Sequence, residues 1–280
     1  MSPIRQTDAR HGRYFYNVND TYIGRSLHFY GEWSEAEVHL FAQIVRQGDV
    51  VLEAGSNIGT HTVALSRLAG PTGRVHAFEP QDHSHQLLCT NLITNGCLNT
   101  SVYQSAVGEA DGFVHMSELN IHAPENFGGV SLLHSGNVSR KVPLRSIDSL
   151  ALQRLDFLKA DIEGFELQML TGCAQTLQRC RPILFIESVG PAGDSCAALL
   201  QRLIPLGYRC WHYITPLFNP QNFDGWPHNE FPGIWSFDML CVPDGRAEVT
   251  GLDDAAQHPA HCDNPEQWRT ARFGHVRATA

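Results

Sequence analysis

Short apolar runs alternate with amphipathic stretches along most of this chain. Compact runs typical of buried strands occur at residues 50–52, 74–78, 100–107, 155–160, 183–186, 208–214 and 235–242. Apolar positions with helical spacing lie between them, at residues 35–46, 58–68, 82–95, 167–177 and 196–204. This alternation predicts an α/β domain with a doubly wound, mostly parallel sheet and helices on both faces. We expect the last strand to run antiparallel, beside the fifth and sixth strands.

Polar and glycine-rich segments divide the 280 residues into a predicted main domain and its additions. The main domain begins with a helix, because Ser34 and Glu37 have the spacing of a capping box. Hydrophobicity falls near the end of the chain, which predicts a tail or an arm on the partner of a homodimer. The predicted units are a cap (1–34), the main domain (35–245) with an insertion (113–144) and an aromatic loop (216–233), and the tail (246–280).

A glycine turn follows the first strand and has an acid at its start. Glu53, Gly55 and Gly59 read E-x-G-x-x-x-G, whereas the dinucleotide fingerprint G-x-G-x-x-G has a second glycine where Ser56 stands. Glycines without a Cβ let a ligand approach the backbone. The acid would repel a pyrophosphate, but it can hold a ligand that carries an ammonium group. A tight turn that binds nothing would also fit this motif alone.

Two further positions predict a nucleotide site at the same sheet edge. Glu79 ends the second strand, where an acid in a doubly wound sheet can accept hydrogen bonds from both ribose hydroxyls. The alternative is an ordinary surface glutamate before a proline. Ser105 and Ala106 end the third strand, and we expect their short side chains to meet the edge of an adenine ring.

Three acids follow the fourth and fifth strands. Asp161 and Glu163 come after residues 155–160, and Glu187 directly follows residues 183–186. Parallel strands place their carboxyl ends at one edge, where α/β sheets bind their ligands. Acids that converge there need a ligand, a cation or a proton to offset their repulsion. Lys159 is either a partner of these acids or an outward-facing charge.

Composition argues against several classes of function. The net charge of −9 disfavours nucleic acid and anionic membranes as partners. No window approaches the ~18 apolar residues of a membrane span, and the N-terminus lacks the apolar core of a signal peptide. Eight scattered cysteines without C-x-x-C favour reduced thiols, so we expect a cytoplasmic protein. The fifteen histidines show no metal-binding spacing.

Several of these motifs together resemble the FkbM family of class I S-adenosylmethionine-dependent methyltransferases. They include residues 52–62 (LEAGSNIGTHT), 77–80 (AFEP), 105–112 (SAVGEADG), 127–132 (FGGVSL), 158–166 (LKADIEGFE) and 185–188 (FIES). The family often has aspartate where Glu53 stands. The resemblance implies a seven-stranded Rossmann-like sheet and S-adenosylmethionine as the cofactor. It also implies methyl transfer to a hydroxyl of a sugar, glycan or secondary metabolite.

The resemblance also assigns roles to the candidate residues. It implies cofactor binding by Glu53, Gly55, Asn57, Gly59, Glu79, Ser105, Ala106 and Asp161. Asp161 is expected to lie nearest the transferred methyl group, and Glu163 and Glu187 are expected to shape the same pocket. The expected proton acceptor is a strand-end carboxylate or a histidine of the insertion (His115, His122 or His134). A divalent cation on Asp161 and Glu187 is possible; we prefer the metal-free mechanism.

Three other functions stay open from the sequence. One is a nicotinamide-dependent enzyme, which the missing second glycine and Glu53 disfavour. Another is a non-catalytic member of the fold that binds a ligand through residues 216–233. The last is N-methylation, since nothing in the sequence excludes an amine acceptor.

Overall fold

The computed structural model describes residues 2–130, 139–188, 195–257 and 274–279. Its strands are β1 (Ile4–Ala9), β2 (Gly12–Asn17), β3 (Val50–Ala54), β4 (Arg74–Phe78), β5 (Thr100–Tyr103), β6 (Ala106–Val107), β7 (Gly112–Ser117), β8 (Ser139–Arg145), β9 (Phe157–Ala160), β10 (Ile183–Glu187), β11 (Tyr208–Pro216), β12 (Trp235–Pro243), β13 (Ala247–Thr250) and β14 (His275–Ala278). Its α-helices are α1 (Ile23–Tyr30), α2 (Glu35–Ile44), α3 (Thr60–Ala69), α4 (Asp82–Thr94), α5 (Glu166–Thr171), α6 (Ala174–Cys180) and α7 (Ser195–Leu203).

Seven strands form the central sheet in the order β11-β12-β10-β9-β3-β4-β5. The pairs within β10-β9-β3-β4-β5 are parallel, and β12 is antiparallel to both of its neighbours, β10 and β11. The predicted Rossmann-like sheet and the antiparallel last strand between the fifth and sixth are therefore confirmed. The order also brings the ends of β3, β4, β9 and β10 to one edge.

Helices cover both faces of the sheet, as predicted. One face packs against α2 and α3 through Phe41 and Leu65, which meet Phe157 and Phe185 of the strands. The other face packs against α5, α6 and α7, where Met169 and Leu199 meet Leu158 and Leu184. Successive strand residues alternate between the two faces, and both faces are apolar, as a doubly covered sheet requires.

The N-terminal segment lies over α3 and α4. The antiparallel pair β1–β2 and the helix α1 bury Tyr14, Tyr16 and Leu27 against Ile58 and Leu88. The cap was predicted without its elements, and α1 was missed because its short apolar pattern is interrupted by aromatic residues. The loop at 216–233 packs on this segment: Asp224 N–H donates to the Tyr30 carbonyl at 3.1 Å.

Two predicted elements are broken in the structure. The predicted third strand at 100–107 ends at Tyr103, and β6 joins β7 and β8 in a separate three-stranded sheet. The helix predicted after the fourth strand is two helices, α5 and α6, separated at Gly172. A Cβ on Gly172 would lie 2.0 Å from the Gly108 carbonyl oxygen, so the break lets this turn approach a neighbouring loop closely.

The end of the chain contributes structure where a tail was predicted. β13 and β14 form an antiparallel pair, and Val276 is buried in the cluster that contains Phe41 of α2. Val276 N–H donates to Gln43 Oε1 at 3.0 Å. The division into cap, main domain and tail stays a prediction. No helix in the described part of the chain is long and apolar enough to cross a membrane.

Candidate active site

Glu79 is held at the end of β4 by two backbone groups. Its Oε2 accepts the N–H of Asn57 at 2.8 Å, and its Oε1 accepts the N–H of Gln81 at 2.8 Å. The residue is 3% exposed, and this burial raises the pKa of Glu79 to about 7. Each carboxylate oxygen keeps a second lone pair, so this fixed group can still accept hydrogen bonds from a ligand.

The glycine turn after β3 packs closely against the backbone of Asp161. Gly55, Asn57 and Gly59 have φ angles of 82°, 47° and 89°, in the left-handed region that favours glycine. A Cβ on Gly55 would lie 1.9 Å from the Asp161 carbonyl oxygen, and one on Gly59 would lie 2.7 Å from Leu88 Cδ1. The room predicted for a ligand at these two glycines is thus partly filled by the protein itself. Both glycines allow the turn and its close packing, and their predicted contact with the cofactor stays a prediction.

A first cavity extends from this turn past the end of β4. Ser105 and Ala106 line it, as do Glu79 and Asp161. Ser105 is 2% exposed, and its Oγ has no hydrogen-bond partner among the described residues. A buried hydroxyl without a partner costs free energy, so it is a candidate contact for a polar ligand atom. Apolar side chains complete the lining: Phe78, Val107, Met116, Val130 and Ile162.

A second cavity, here called the acidic cleft, opens beside the first. Its lining includes the following acids and aromatic residues: Glu53, Asp161, Glu163, Glu187, Tyr22, Trp33 and Trp235. Gly55, Glu79, Asp161 and Glu163 belong to the lining of both cavities. The two cavities therefore meet at the ends of β3, β4 and β9.

Lys159 lies buried among the acids, which resolves the choice left by the sequence. It is 2% exposed, and its Nζ lies 3.3 Å from Asp161 Oδ2. Burial acts to lower the pKa of Lys159, but the surrounding carboxylates outweigh burial and raise it. Glu53 is its register partner on β3, and Thr62 Oγ1 donates to Glu53 Oε2 at 2.5 Å. Burial raises the pKa of Glu53.

A second group of buried polar residues joins α2 to β12. Ser34 Oγ bonds to the Glu37 carboxylate, so Ser34 does not cap the helix with its side chain as predicted. Ser236 Oγ lies 3.2 Å from Glu37 Oε1 and 2.6 Å from Asp238 Oδ2. Burial raises the pKa of Glu37 to about 7 and raises that of Asp238 well above its ordinary value. His61, also buried, has its Nε2 3.8 Å from Glu37 Oε2.

The three predicted catalytic acids converge in the acidic cleft. One carboxylate oxygen from each of Asp161, Glu163 and Glu187 lies within 4.8 Å of the others. Burial, followed by the charge of Asp161, raises the pKa of Glu163 to about 8 and that of Glu187 well above its ordinary value. Glu166, the first residue of α5, fixes the turn that carries Asp161 and Glu163, because its Oε1 accepts the Ile162 N–H at 3.0 Å.

The structure brings the predicted site residues together, while their roles stay predictions. All except Gly59 line one or both cavities, and Gly59 lies in the turn beside them. Buried polar residues also join the site: Lys159, Glu37, Thr62, His61 and Asp238. Sequence reasoning missed the last four; the signal for Asp238 was a lone acid in an apolar strand. His115 and His122 are exposed and do not line the cleft, and His134 lies outside the described residues.

A match to a known protein family identifies the chain as a methyltransferase that uses S-adenosylmethionine. Residues 53–210 match the Methyltransferase FkbM domain, and the chain therefore belongs to that family. The match includes the glycine turn, the acid after β4 and the acids after β9 and β10. The nicotinamide alternative has no support from this membership.

Individual relatives are distant. Methyltransferase sdnD from Sordaria araneosa is 25% identical over 175 residues, which cover 51% of this chain and 67% of that protein. The crystal structure of methyltransferase FkbM from Methylobacillus flagellatus KT aligns with a TM-score of 0.48 at 17% identity, over 73% of this chain and half the length of that one. TYW2 from M. jannaschii in complex with AdoMet aligns with a TM-score of 0.47 at 13% identity, over 86% of each chain.

Proposed function

We propose that this methyltransferase acts on a hydroxyl oxygen of a sugar, glycan or secondary metabolite. The observation that carries the proposal is the position of Asp161, which lines both the first cavity and the acidic cleft. A methyl group must pass between two molecules at the point where their sites meet. Glu79 and Glu163 also line both cavities, but Glu79 is 3% exposed, whereas the Asp161 side chain is 46% exposed and can reach both molecules.

The first cavity has the groups that the nucleoside part of S-adenosylmethionine needs. Glu79 would accept from the ribose hydroxyls, since backbone N–H groups already fix its two oxygens. Ser105 and Ala106 would face the adenine, with Ser105 Oγ, which has no partner in the described part of the chain, as a polar contact. The turn at Glu53, Gly55, Asn57 and Gly59 would hold the methionine part, with Glu53 contributing negative charge.

The chemistry asks little covalent work of the protein. S-adenosylmethionine supplies a methyl group that is already activated on its sulfonium sulfur. The residues of the cleft must orient the acceptor, exclude water and receive the hydroxyl proton. A carboxylate of Asp161, Glu163 or Glu187 is the proposed proton acceptor. The raised pKa of Glu163, about 8, is near that required of a general base at neutral pH.

The acidic cleft favours a polar acceptor with a flat, apolar face. Tyr22, Trp33 and Trp235 supply aromatic surface, and the acids supply hydrogen-bond acceptors. A sugar ring presents both kinds of surface: hydroxyls on its rim and C–H groups on its faces. The same acids would also attract a protonated amine, so N-methylation is the second candidate.

A panel of paired acceptors separates these two functions. Each pair contains a polyol or sugar and its amino analogue, assayed with S-adenosylmethionine carrying a ¹³C-labelled methyl group. We expect methyl transfer to the hydroxyl compounds, with an oxygen-bound methyl carbon in the NMR spectrum of the product. Transfer to the amines alone, with a nitrogen-bound methyl carbon, would replace our proposal by the second candidate.

The cellular setting is part of the same proposal. From the composition and the net charge of −9 we propose a cytoplasmic location and no nucleic-acid partner, and a homodimer stays a proposal. Fractionation of the native host and size-exclusion chromatography of the purified chain test the location and the homodimer.

A further inference from the structure

Three carboxylates converge in the acidic cleft with a geometry that suits a metal ion. We propose that Asp161, Glu163 and Glu187 bind one hard divalent cation such as Mg²⁺ or Ca²⁺. Binding of the cation is independent of the acceptor, whereas its part in the reaction rests on the proposed function. The sequence allowed a cation on Asp161 and Glu187, although we preferred the metal-free mechanism; we now add Glu163 as the third ligand.

The fold fixes where these carboxylates come from. β9 and β10 are parallel neighbours, so Glu187 at the end of β10 lies beside Asp161 just after β9. Glu163 has a φ of 56° in the tight turn before α5 and adds its carboxylate from that turn. One strand pair and one turn thus deliver three oxygen ligands to one place.

The spacing of the oxygens fits a cation of this class. Ca²⁺–oxygen bonds of about 2.3–2.6 Å place opposite ligands about 4.6–5.2 Å apart. The three carboxylate oxygens lie within 4.8 Å of one another. Mg²⁺ has shorter bonds of about 2.0–2.1 Å, and both ions prefer oxygen ligands.

An independent observation points to a missing partner. Glu187 Oε2 is fully buried, and it has no hydrogen-bond partner among the described residues. Among the residues that the structure describes, neither Glu187 nor Glu163 forms an ion pair. The nearby Lys159 is paired with Asp161. A buried carboxylate oxygen without a donor is costly. A cation at this point would satisfy Glu187 and offset the repulsion among the three acids.

A bound cation would give the cleft a defined chemical task. It would hold the acceptor hydroxyl through its oxygen and lower that hydroxyl's pKa, so that a neighbouring carboxylate can take the proton. The oxygen lone pair then forms the new bond to the methyl carbon, the sulfur–carbon bond breaks, and sulfur keeps its electron pair. The cation is neither oxidised nor reduced.

Calorimetric titration of the cofactor-free protein with CaCl₂ and, separately, MgCl₂ tests binding. We expect one saturable site per chain, and at least a tenfold loss of affinity in both Glu187→Gln and Glu163→Gln. These replacements keep the side-chain shape and exchange a carboxylate, which can ionise and bind a cation, for a neutral amide. Glu109→Gln, at an exposed acid outside the cleft, is the matched control and should bind like the wild type. Absence of a saturable site, or equal affinity in all four proteins, would overturn the proposal.

Two further measurements separate the site from the proposed function. Cation binding is repeated with saturating S-adenosylhomocysteine, and we expect the affinity to change by less than threefold. Displacement of the cation would show that these acids belong to the cofactor site and would overturn the proposal. If the cation binds but no hydroxyl acceptor is methylated, the cation site stands and the proposed function fails. Methyl transfer that is insensitive to EDTA would overturn the catalytic part alone.

Discussion

Glu79 and Glu187 are the same residue type at the same edge of the sheet, yet their surroundings differ. Each ends a parallel strand, and burial raises the pKa of both. The two oxygens of Glu79 each accept a backbone N–H at 2.8 Å, whereas Glu187 Oε2 has no donor among the described residues. Burial alone therefore does not define the role of a strand-end acid. Its fixed partners do: they make Glu79 a positioned acceptor and leave Glu187 available to a ligand.

Lys159 stabilises the buried carboxylates around the acidic cleft. Its replacement should therefore have the largest effect on the stability of the protein. It is the buried cation that faces Glu53, Glu37, Asp161 and Asp238. Lys159→Met should lower the free energy of unfolding by about 3–5 kcal/mol, because it leaves buried carboxylates without their partner. Urea unfolding followed by circular dichroism measures this. The exposed Lys141 provides a control: Lys141→Met should cost less than about 1 kcal/mol. Equal stability of the two variants would mean that the buried carboxylates do not need the ammonium group of Lys159.

Asp161 should separate turnover from cofactor binding. Asp161→Asn keeps the side-chain shape but removes the charge at the junction of the two cavities. We expect kcat to fall at least about 100-fold, as for loss of a general base or a ligand that orients the acceptor. The affinity for S-adenosylhomocysteine should stay within threefold. Full activity of Asp161→Asn would remove this residue from the proposed mechanism; exposed Asp8→Asn is the surface control.

Glu79 should show the opposite pattern. Glu79→Ala removes a charged acceptor for the ribose hydroxyls and should weaken S-adenosylmethionine binding about 10- to 100-fold. It also frees the N–H groups of Asn57 and Gln81, so loosening of the turn could contribute. Glu79→Gln keeps the side-chain shape and one acceptor oxygen, so it should lose one of the two backbone hydrogen bonds and part of the ribose contacts, and its loss of affinity should be smaller than that of Glu79→Ala. Unchanged affinity in both variants would exclude Glu79 from the cofactor site.

The buried acids should also make stability depend on pH. Glu37, Glu79, Glu163 and Glu166 have a folded-state pKa of about 7 to 8, above the 4.5 of the unfolded chain. The folded state therefore holds more protons between these values, and stability falls as pH rises through them. Between pH 6.5 and 8, the melting temperature of the cofactor-free protein should fall by several degrees. Glu79→Gln should reduce that slope; a flat or rising profile in the wild type would contradict the burial of these acids.

The fold was predictable because the sheet's strands are short apolar runs with clear ends. Residues 50–52 and 183–186 could be placed from sequence alone, and so could the acids that follow them. Non-local contacts were not predictable. The partnership of Glu37 with Ser236 joins residues 199 positions apart, and no local pattern encodes it. The break at Gly172 depends on a neighbouring loop, and the burial of Lys159 depends on the register of β9 with β3.

The most direct test of the comparison is the affinity for S-adenosylhomocysteine of the wild type, Glu79→Gln and Glu187→Gln, measured by calorimetry under one set of conditions. Both variants replace a carboxylate with an amide, one directly after β4 and the other at the end of β10. We predict that Glu79→Gln loses at least tenfold in affinity and that Glu187→Gln stays within threefold of the wild type. An equal or larger loss in Glu187→Gln would show that both acids serve the cofactor, and the proposed division between them would be wrong.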